Sequence, residues 1–177
     1  MATGGGRVRT PEEDRGVAGA VYRTLDAGVT WGSYPMGAAD HRGVAARGAH
    51  VWVVDAAGVV WTSANSGYSF TTQSPTGAPL SAVWFADETT GWIAGAGGAV
   101  LKTTDGGGAW SSQESGTVAD LNAIRFAGLS EGWACGAGGT VLHTTDGGAG
   151  WTATTPFSFT KDLYDVVFDG STVDDVA

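Results

Sequence analysis

The chain has 177 residues, enough for one ordinary domain with its own core. Nine basic residues stand against eighteen acidic ones, and a formal charge of −9 disfavours a nucleic-acid surface or an anionic membrane face. Thirty glycines and eight tryptophans suit tight turns between short aromatic strands and do not suit helices.

The N-terminal stretch Met1–Arg15 lacks the apolar segment of a signal peptide and reads as a flexible tail. From Thr24 onward one pattern, Ser/Thr-x-Asp-x-Gly-x-x-aromatic, occurs four times. It is seen at Thr24–Trp31, Ser63–Phe70 (with Asn65 in place of Asp), Thr103–Trp110 and Thr144–Trp151. The central residues Asp26, Asn65, Asp105 and Asp146 are 39, 40 and 41 residues apart. A near-constant period of this size predicts stacked supersecondary units.

Measured from those residues, bulky side chains fall into columns. Trp52, Trp92 and Trp133 lie thirteen residues before the central residue, and Tyr22, Trp61, Leu101 and Leu142 lie four before it. Phe85 and Phe126 lie twenty before it, with Ala46 near the same place in the second repeat. The third repeat resolves into strand A (Leu80–Ala86), strand B (Gly91–Gly95), strand C (Ala99–Thr103) and strand D (Ala109–Gln113). Four short antiparallel strands per repeat of about 40 residues predict the blade of a β-propeller. Residues 1–15 are then a tail and 16–177 an all-β propeller. Its repeat cores fall at about 16–31, 43–70, 80–113 and 121–153, with a partial repeat at 163–177. The chain ends complement each other within one blade. They fit a small ring closed by the two termini, a segment of a larger ring, or a ring shared by two chains.

The four boxes match the Asp-box (BNR) repeat, found in sialidases and many unrelated propellers. The longer pattern GWACGAGGTVLHTTDGGAGW, ending at Trp151, and its counterpart GWIAGAGGAVLKTTDGGGAW, ending at Trp110, resemble the repeat of the photosystem II stability and assembly factor family. That resemblance implies a non-catalytic scaffold or assembly role through protein–protein contacts in a larger complex, and a structural role for the boxes. The residues concerned are Thr24, Asp26, Gly28, Trp31, Ser63, Asn65, Gly67, Phe70, Thr103, Asp105, Gly107, Trp110, Thr144, Asp146, Gly148 and Trp151.

The residues themselves point the same way. An Asp before glycines at a hairpin accepts hydrogen bonds from its own turn, and Asn65 keeps the accepting oxygen while losing any proton chemistry. No metal site is expected: the DGG runs lack alternating oxygen ligands, and His41, His50 and His143 share no ligand spacing. His143 shares a column with Arg23, Thr62 and Lys102, which predicts a polar, solvated register. Cys135, the only cysteine, takes the place of Ala94 and is expected to be a buried strand residue. No cofactor is expected.

A sialidase-like glycosidase or glycan-binding protein is the alternative. By resemblance it calls for three arginines, of which only Arg42, Arg47 and Arg125 are placed to contribute. Glu88 and Glu131 are the acids available to a two-carboxylate mechanism, but no acid, base and cation are seen to converge. Binding is expected instead on the D–A loops, the connections most varied between repeats, across the ring from the boxes. Candidate partner-binding residues are Tyr34, Met36, His41, Arg42, Phe157, Phe159 and Lys161, with Arg125 breaking an apolar column held by Trp84 and Val167. The acidic run Asp162, Asp165, Asp169, Asp174 and Asp175 is expected to be a solvated surface. The expected partners are one or more proteins, with no nucleic acid, no direct membrane insertion, and a homodimer if the ring is shared. The sequence assigns no compartment.

Overall fold

A computed structural model describes residues 19–24, 26–36, 40–154 and 160–167. Three successive four-stranded antiparallel sheets follow one two-stranded sheet. The two-stranded sheet pairs β1 (Ala20–Arg23) with β2 (Gly32–Pro35). The second blade is β3 (His41–Arg47), β4 (His50–Asp55), β5 (Val60–Ser63) and β6 (Thr71–Gln73). The third is β7 (Leu80–Phe85), β8 (Gly91–Gly95), β9 (Val100–Thr103) and β10 (Ser111–Gln113). The fourth is β11 (Leu121–Ala127), β12 (Glu131–Gly136), β13 (Val141–Thr144) and β14 (Thr152–Ala153). Strands follow one another in sequence order across each sheet, so every link is a hairpin. The strands expected for the third repeat agree with this to within two residues. The glycine-rich segments after β8 and β12 form single 3-10 turns, Ala96–Gly98 and Ala137–Gly139, between strands B and C.

Blades stack face to face, with the first strands of neighbouring blades, β3, β7 and β11, packed side by side. Between the second and third blades the fully buried Trp52 stacks on Phe85, their ring centroids 3.5 Å apart. Between the third and fourth, Trp92 stacks on Phe126 at 3.6 Å. Each Phe also meets the box tryptophan of its own blade edge-on, Trp110 at 5.9 Å and Trp151 at 5.8 Å. The columns of bulky residues are therefore one repeated cluster, Trp–Phe–Trp, in which the phenyl lies flat on one indole and meets the other edge-on, the second contact suiting aromatic quadrupoles. Gly91 and Gly132 allow it: a Cβ at either position would stand 2.6 or 2.5 Å from the phenylalanine ring paired opposite. In the second blade the same pair is Val51 and Ala46, so bulk has moved from strand A to strand B and no phenyl is present.

Leu163 and Val166 continue the pattern against the outer face of the fourth blade, packing with Trp133 and the buried Cys135. Burial, with the nearby Asp165 carboxylate adding to it, pushes the Cys135 thiol up to about 11. Among the described residues no helix is long and apolar enough to cross a membrane. Closure of the ring turns on residues 16–18 and 168–177, which lie outside the described residues, as does the tail at 1–15.

Candidate functional site: structural boxes and a central cavity

The four Asp boxes share one geometry. In the third, Thr103 Oγ1 donates to Asp105 Oδ1 (2.8 Å) and accepts from Gly107 N–H (3.0 Å), while Asp105 Oδ1 accepts from Ala109 N–H (3.0 Å). The fourth repeats this with Thr144, Asp146, Gly148 and Gly150, and the second with Ser63, Asn65, Gly67 and Ser69. The first adds a bond from Thr30 Oγ1 to Asp26 Oδ2 at 2.6 Å. Gly107 and Gly148 hold φ values of +90° and +91°, which a side chain rarely tolerates. These bonds, made to the charged carboxylate, hold Asp105 and Asp146 below the usual carboxylate range and Asp26 at about 2, led by the Thr30 hydroxyl. At least one carboxylate oxygen of each box Asp, Oδ1 in Asp105 and Asp146 and both in Asp26, is thus engaged in holding a hairpin.

The second, third and fourth turns are also tied to their surroundings, each through one residue. Gly106 N–H donates to Thr89 O in its own blade (2.8 Å), and Gly106 O accepts from Trp52 Nε1 of the preceding blade (2.7 Å). Gly147 repeats this with Ser130 O (2.7 Å) and Trp92 Nε1 (2.9 Å), and accepts a second bond from Lys102 Nζ at 2.8 Å. At the first junction Arg23 donates to Ser66 O (2.6 Å). Arg23 and Lys102 stand in the register expected to be solvated; both instead reach across to clasp the next blade's box. The alternation rule that marks them as outward ignores the neighbouring sheet. His143, in the same register, stacks on Trp133 and faces Glu131 at 3.4 Å.

A second feature lies at the other end of the first strands. β3, β7 and β11 each carry a bulge one residue after their start, between His41 and Gly43, Leu80 and Ala82, and Leu121 and Ala123. A bulge re-aims the extra residue. Those residues are Arg42, Ser81 and Asn122, and with Tyr164 after Leu163 they line one polar cavity of about 220 Å³. Arg125 and Asp165 line it too, paired at 3.4 Å with side chains 31% and 59% exposed. The Arg125 guanidinium also lies 5.2 Å from the Trp84 ring centre, and Arg47 lies 5.1 Å from the same ring. This answers where Arg125 goes: it pairs with an acid of the following segment and borders the cavity.

The other candidate residues are dispersed. Arg42 is exposed and pairs with Asp40 at 3.4 Å. Tyr34 is half-buried beside Arg23, its hydroxyl accepting at 3.1 Å. Met36 is buried in the core between the first two blades. His41 is buried edge-on against Trp61, and burial lowers its imidazole below the ordinary value. Neither can meet a partner from there, because Met36 and His41 are only 4% and 8% exposed. Lys161 is exposed, while Phe157 and Phe159 lie outside the described residues. Of the acidic run, Asp162 accepts from Gly138 N–H at 2.9 Å and Asp165 pairs with Arg125; Asp169, Asp174 and Asp175 lie outside. Glu88 and Glu131 do not share a partner. Each faces a different histidine, Glu131 near His143 of its own blade at 3.4 Å and Glu88 near His50 of the preceding blade at 3.6 Å. Among the described residues no three His, Cys, Asp or Glu side chains are grouped to hold a metal ion.

The bulge column was the residue set missed in sequence. Its signal was present: one varied position between a repeated Leu and a repeated Ala, in Leu80–Ala82 and Leu121–Ala123.

Comparisons with known proteins agree with this architecture. The sequence profile of the family described as photosynthesis system II assembly factor YCF48 matches residues 71–156. A solved structure of YCF48 bound to D1 peptide aligns with a TM-score of 0.58 and 22% identity, over 65% of this chain and 40% of that one. YCF48 from Cyanidioschyzon merolae gives 0.57 and 19%, over 65% and 39%. An ancestral GH74 enzyme gives 0.64 and 18%, over 74% of this chain and 20% of that one. The chain thus spans about 40% of the length of the YCF48 structures it matches. No curated protein matches its sequence. The chain is an all-β, Asp-box β-propeller that resembles the photosystem II assembly factor family.

Proposed function

We propose that the chain is a non-catalytic binding module that takes a segment of a partner protein at its central cavity, in an assembly-factor role like that of the family it resembles. The observation that carries this reading is the bulge column. Four successive repeats place Arg42, Ser81, Asn122 and Tyr164 around one cavity, at a position that varies while its neighbours repeat. Varied side chains on a repeated frame are where recognition resides. Both cationic groups there are held by exposed partners, and exposed pairs contribute at most about 1 kcal/mol, so a ligand group can displace them. That a solved YCF48 structure is bound to D1 peptide supports a protein ligand.

The GH74 likeness, at 18% identity, supports a shared fold and no shared chemistry. Glycoside hydrolysis uses two carboxyl groups across one bond, whereas Glu88 and Glu131 face separate histidines. Selection from a displayed peptide library tests the proposal. Enrichment by the native chain that is lost in Arg42→Ala/Arg125→Ala supports it. Unchanged enrichment in that variant, or turnover of fluorogenic glycosides by the native chain, overturns it.

A further inference from the structure

The central cavity carries a charge opposite to that of the chain around it. Two guanidiniums, Arg42 and Arg125, line it against one carboxylate, Asp165, in a molecule whose formal charge is −9. A cationic hollow in an acidic protein draws anions to one place while the rest of the surface repels them.

The two arginines are held differently. Arg42 stands on the bulge of β3, and its Nε donates to Asp40, two residues before it, at 3.4 Å. Arg125 is fixed by its own strand and by the preceding blade: Nη1 donates to Ile124 O at 3.1 Å, and the guanidinium lies 5.2 Å from the Trp84 ring centre. Neither contact uses Asp165.

The Arg125–Asp165 pair itself is loose. Its 3.4 Å separation exceeds the roughly 2.7–2.9 Å of a charge-assisted hydrogen bond, and the oxygen nearest Arg125, Oδ1, already accepts from Val166 N–H at 2.9 Å. Among the described residues the one hydrogen bond that Arg125 donates goes to Ile124 O. A guanidinium presents its N–H donors as a rigid fork matched to both oxygens of a carboxylate. Most of this fork is therefore unspent beside a polar cavity of about 220 Å³, with the chain's own carboxylate near it and not hydrogen-bonded to it.

We propose that the cavity takes a carboxylate of the partner segment on the Arg125 fork, and that Asp165 is an internal competitor for the same place. The proposal rests on the reading of the cavity as the binding site and adds the chemistry of its ligand. Side-chain and C-terminal carboxylates share that chemistry. Trp84 and Ile124 O keep Arg125 in position as Asp165 leaves, and Arg42, Ser81 and Tyr164 border the same space. Because the displaced pair is exposed, Asp165 lowers affinity without closing the site.

Three blocked peptides test this: Ac-Gly-Glu-Gly-NH2 offers a side-chain carboxylate, Ac-Gly-Gly-OH a terminal one, and Ac-Gly-Gln-Gly-NH2 neither. Each is titrated into the full chain while the Nε–Hε signals of Arg42 and Arg125 are followed by NMR. Binding of at least one carboxylate peptide is expected, about tenfold or more tighter than the glutamine peptide, and the tighter of the two identifies the source. Asp165→Asn is expected to tighten that binding about threefold to fivefold, the latter being about 1 kcal/mol. Asp165→Ser, which removes the carboxylate without supplying an amide, is expected to act alike, and Arg125→Gln to abolish binding. A purely structural ion pair would instead show a lower Tm in both Asp165 variants with no gain in affinity. No shift with either carboxylate peptide, equal binding of the glutamine peptide, or no gain in the Asp165 variants overturns the proposal. Equal binding of all three leaves the cavity a peptide site and sinks only the carboxylate. A chain that binds none of them and enriches no library peptide loses both readings.

Discussion

Gly147 O accepts two hydrogen bonds from the preceding blade, from the buried indole of Trp92 at 2.9 Å and from Lys102 Nζ at 2.8 Å. The two donors also touch each other, with Nζ 5.4 Å from the Trp92 ring centre. These contacts predict opposite signs in a double-mutant cycle of Trp92→Phe and Lys102→Met. If the direct cation–ring contact dominated, Lys102→Met would lose it and Trp92→Phe would weaken it, and the double variant would cost less than the sum. With the shared carbonyl dominant, either donor alone keeps it satisfied, at a net loss of about 0.5–1.5 kcal/mol per bond. Losing both orphans the carbonyl of the buried Gly147, whose desolvation costs about 1–3 kcal/mol. We therefore expect the double variant to exceed the sum of the singles by about 1 kcal/mol in urea unfolding followed by far-UV circular dichroism. In a chain of this size that is an extra drop of about 2–4 °C in Tm. Additivity within about 0.3 kcal/mol, or a double variant below the sum, would refute the reasoning.

Other outcomes follow from the same contacts. At the third box Asp105→Asn should lower Tm less than Asp105→Ala, since Asn65 already accepts the equivalent turn bond; equal losses by calorimetry would contradict a structural role. The carboxyls of Asp26, Asp105 and Asp146 lie below their ordinary values in the fold, so their stabilisation is present above about pH 4 and is lost as pH falls through the folded values, about 2 for Asp26. Acid unfolding monitored by tryptophan emission should show that loss, and replacing Asp105 and Asp146 with Asn should flatten it. Gly107→Ala should cost more than about 1 kcal/mol, because φ is +90° and the new Cβ would stand 3.1 Å from Trp52 Nε1, whereas Gly77→Ala, with open space, should cost less. Cys135, buried and with its thiol pushed up to about 11, should resist alkylation at pH 8 until urea unfolds the chain.

Most of the fold was legible because the repeat states each rule several times. A single Trp92 in a strand is ambiguous, but Trp52, Trp92 and Trp133 at one offset from the box mark an inter-blade column. The box glycines and the exchange of Asp for Asn65 likewise identified a turn held by an accepting oxygen. What the sequence hid lies between elements. Arg23 and Lys102 read as solvated because alternation along a strand says nothing of the next blade's carbonyl. Met36 and His41 read as loop residues because the entry of β3 carries no period of its own. The column Arg42, Ser81, Asn122 and Tyr164 escaped notice because a bulge shifts one residue out of the two-residue alternation, and only strand pairing reveals it. The site was visible as single residues, Arg42 and Arg125 among them, and its convergence required three dimensions.

The division of labour between the two ends of the blades is most directly tested by hydrogen–deuterium exchange of the chain with and without a peptide selected by it. Slowed exchange at the starts of β3, β7 and β11, around Arg42, Ser81 and Asn122, is predicted, with the box turns at Asp105 and Asp146 unchanged. Protection confined to the boxes, with the bulge column unaffected, would contradict the account.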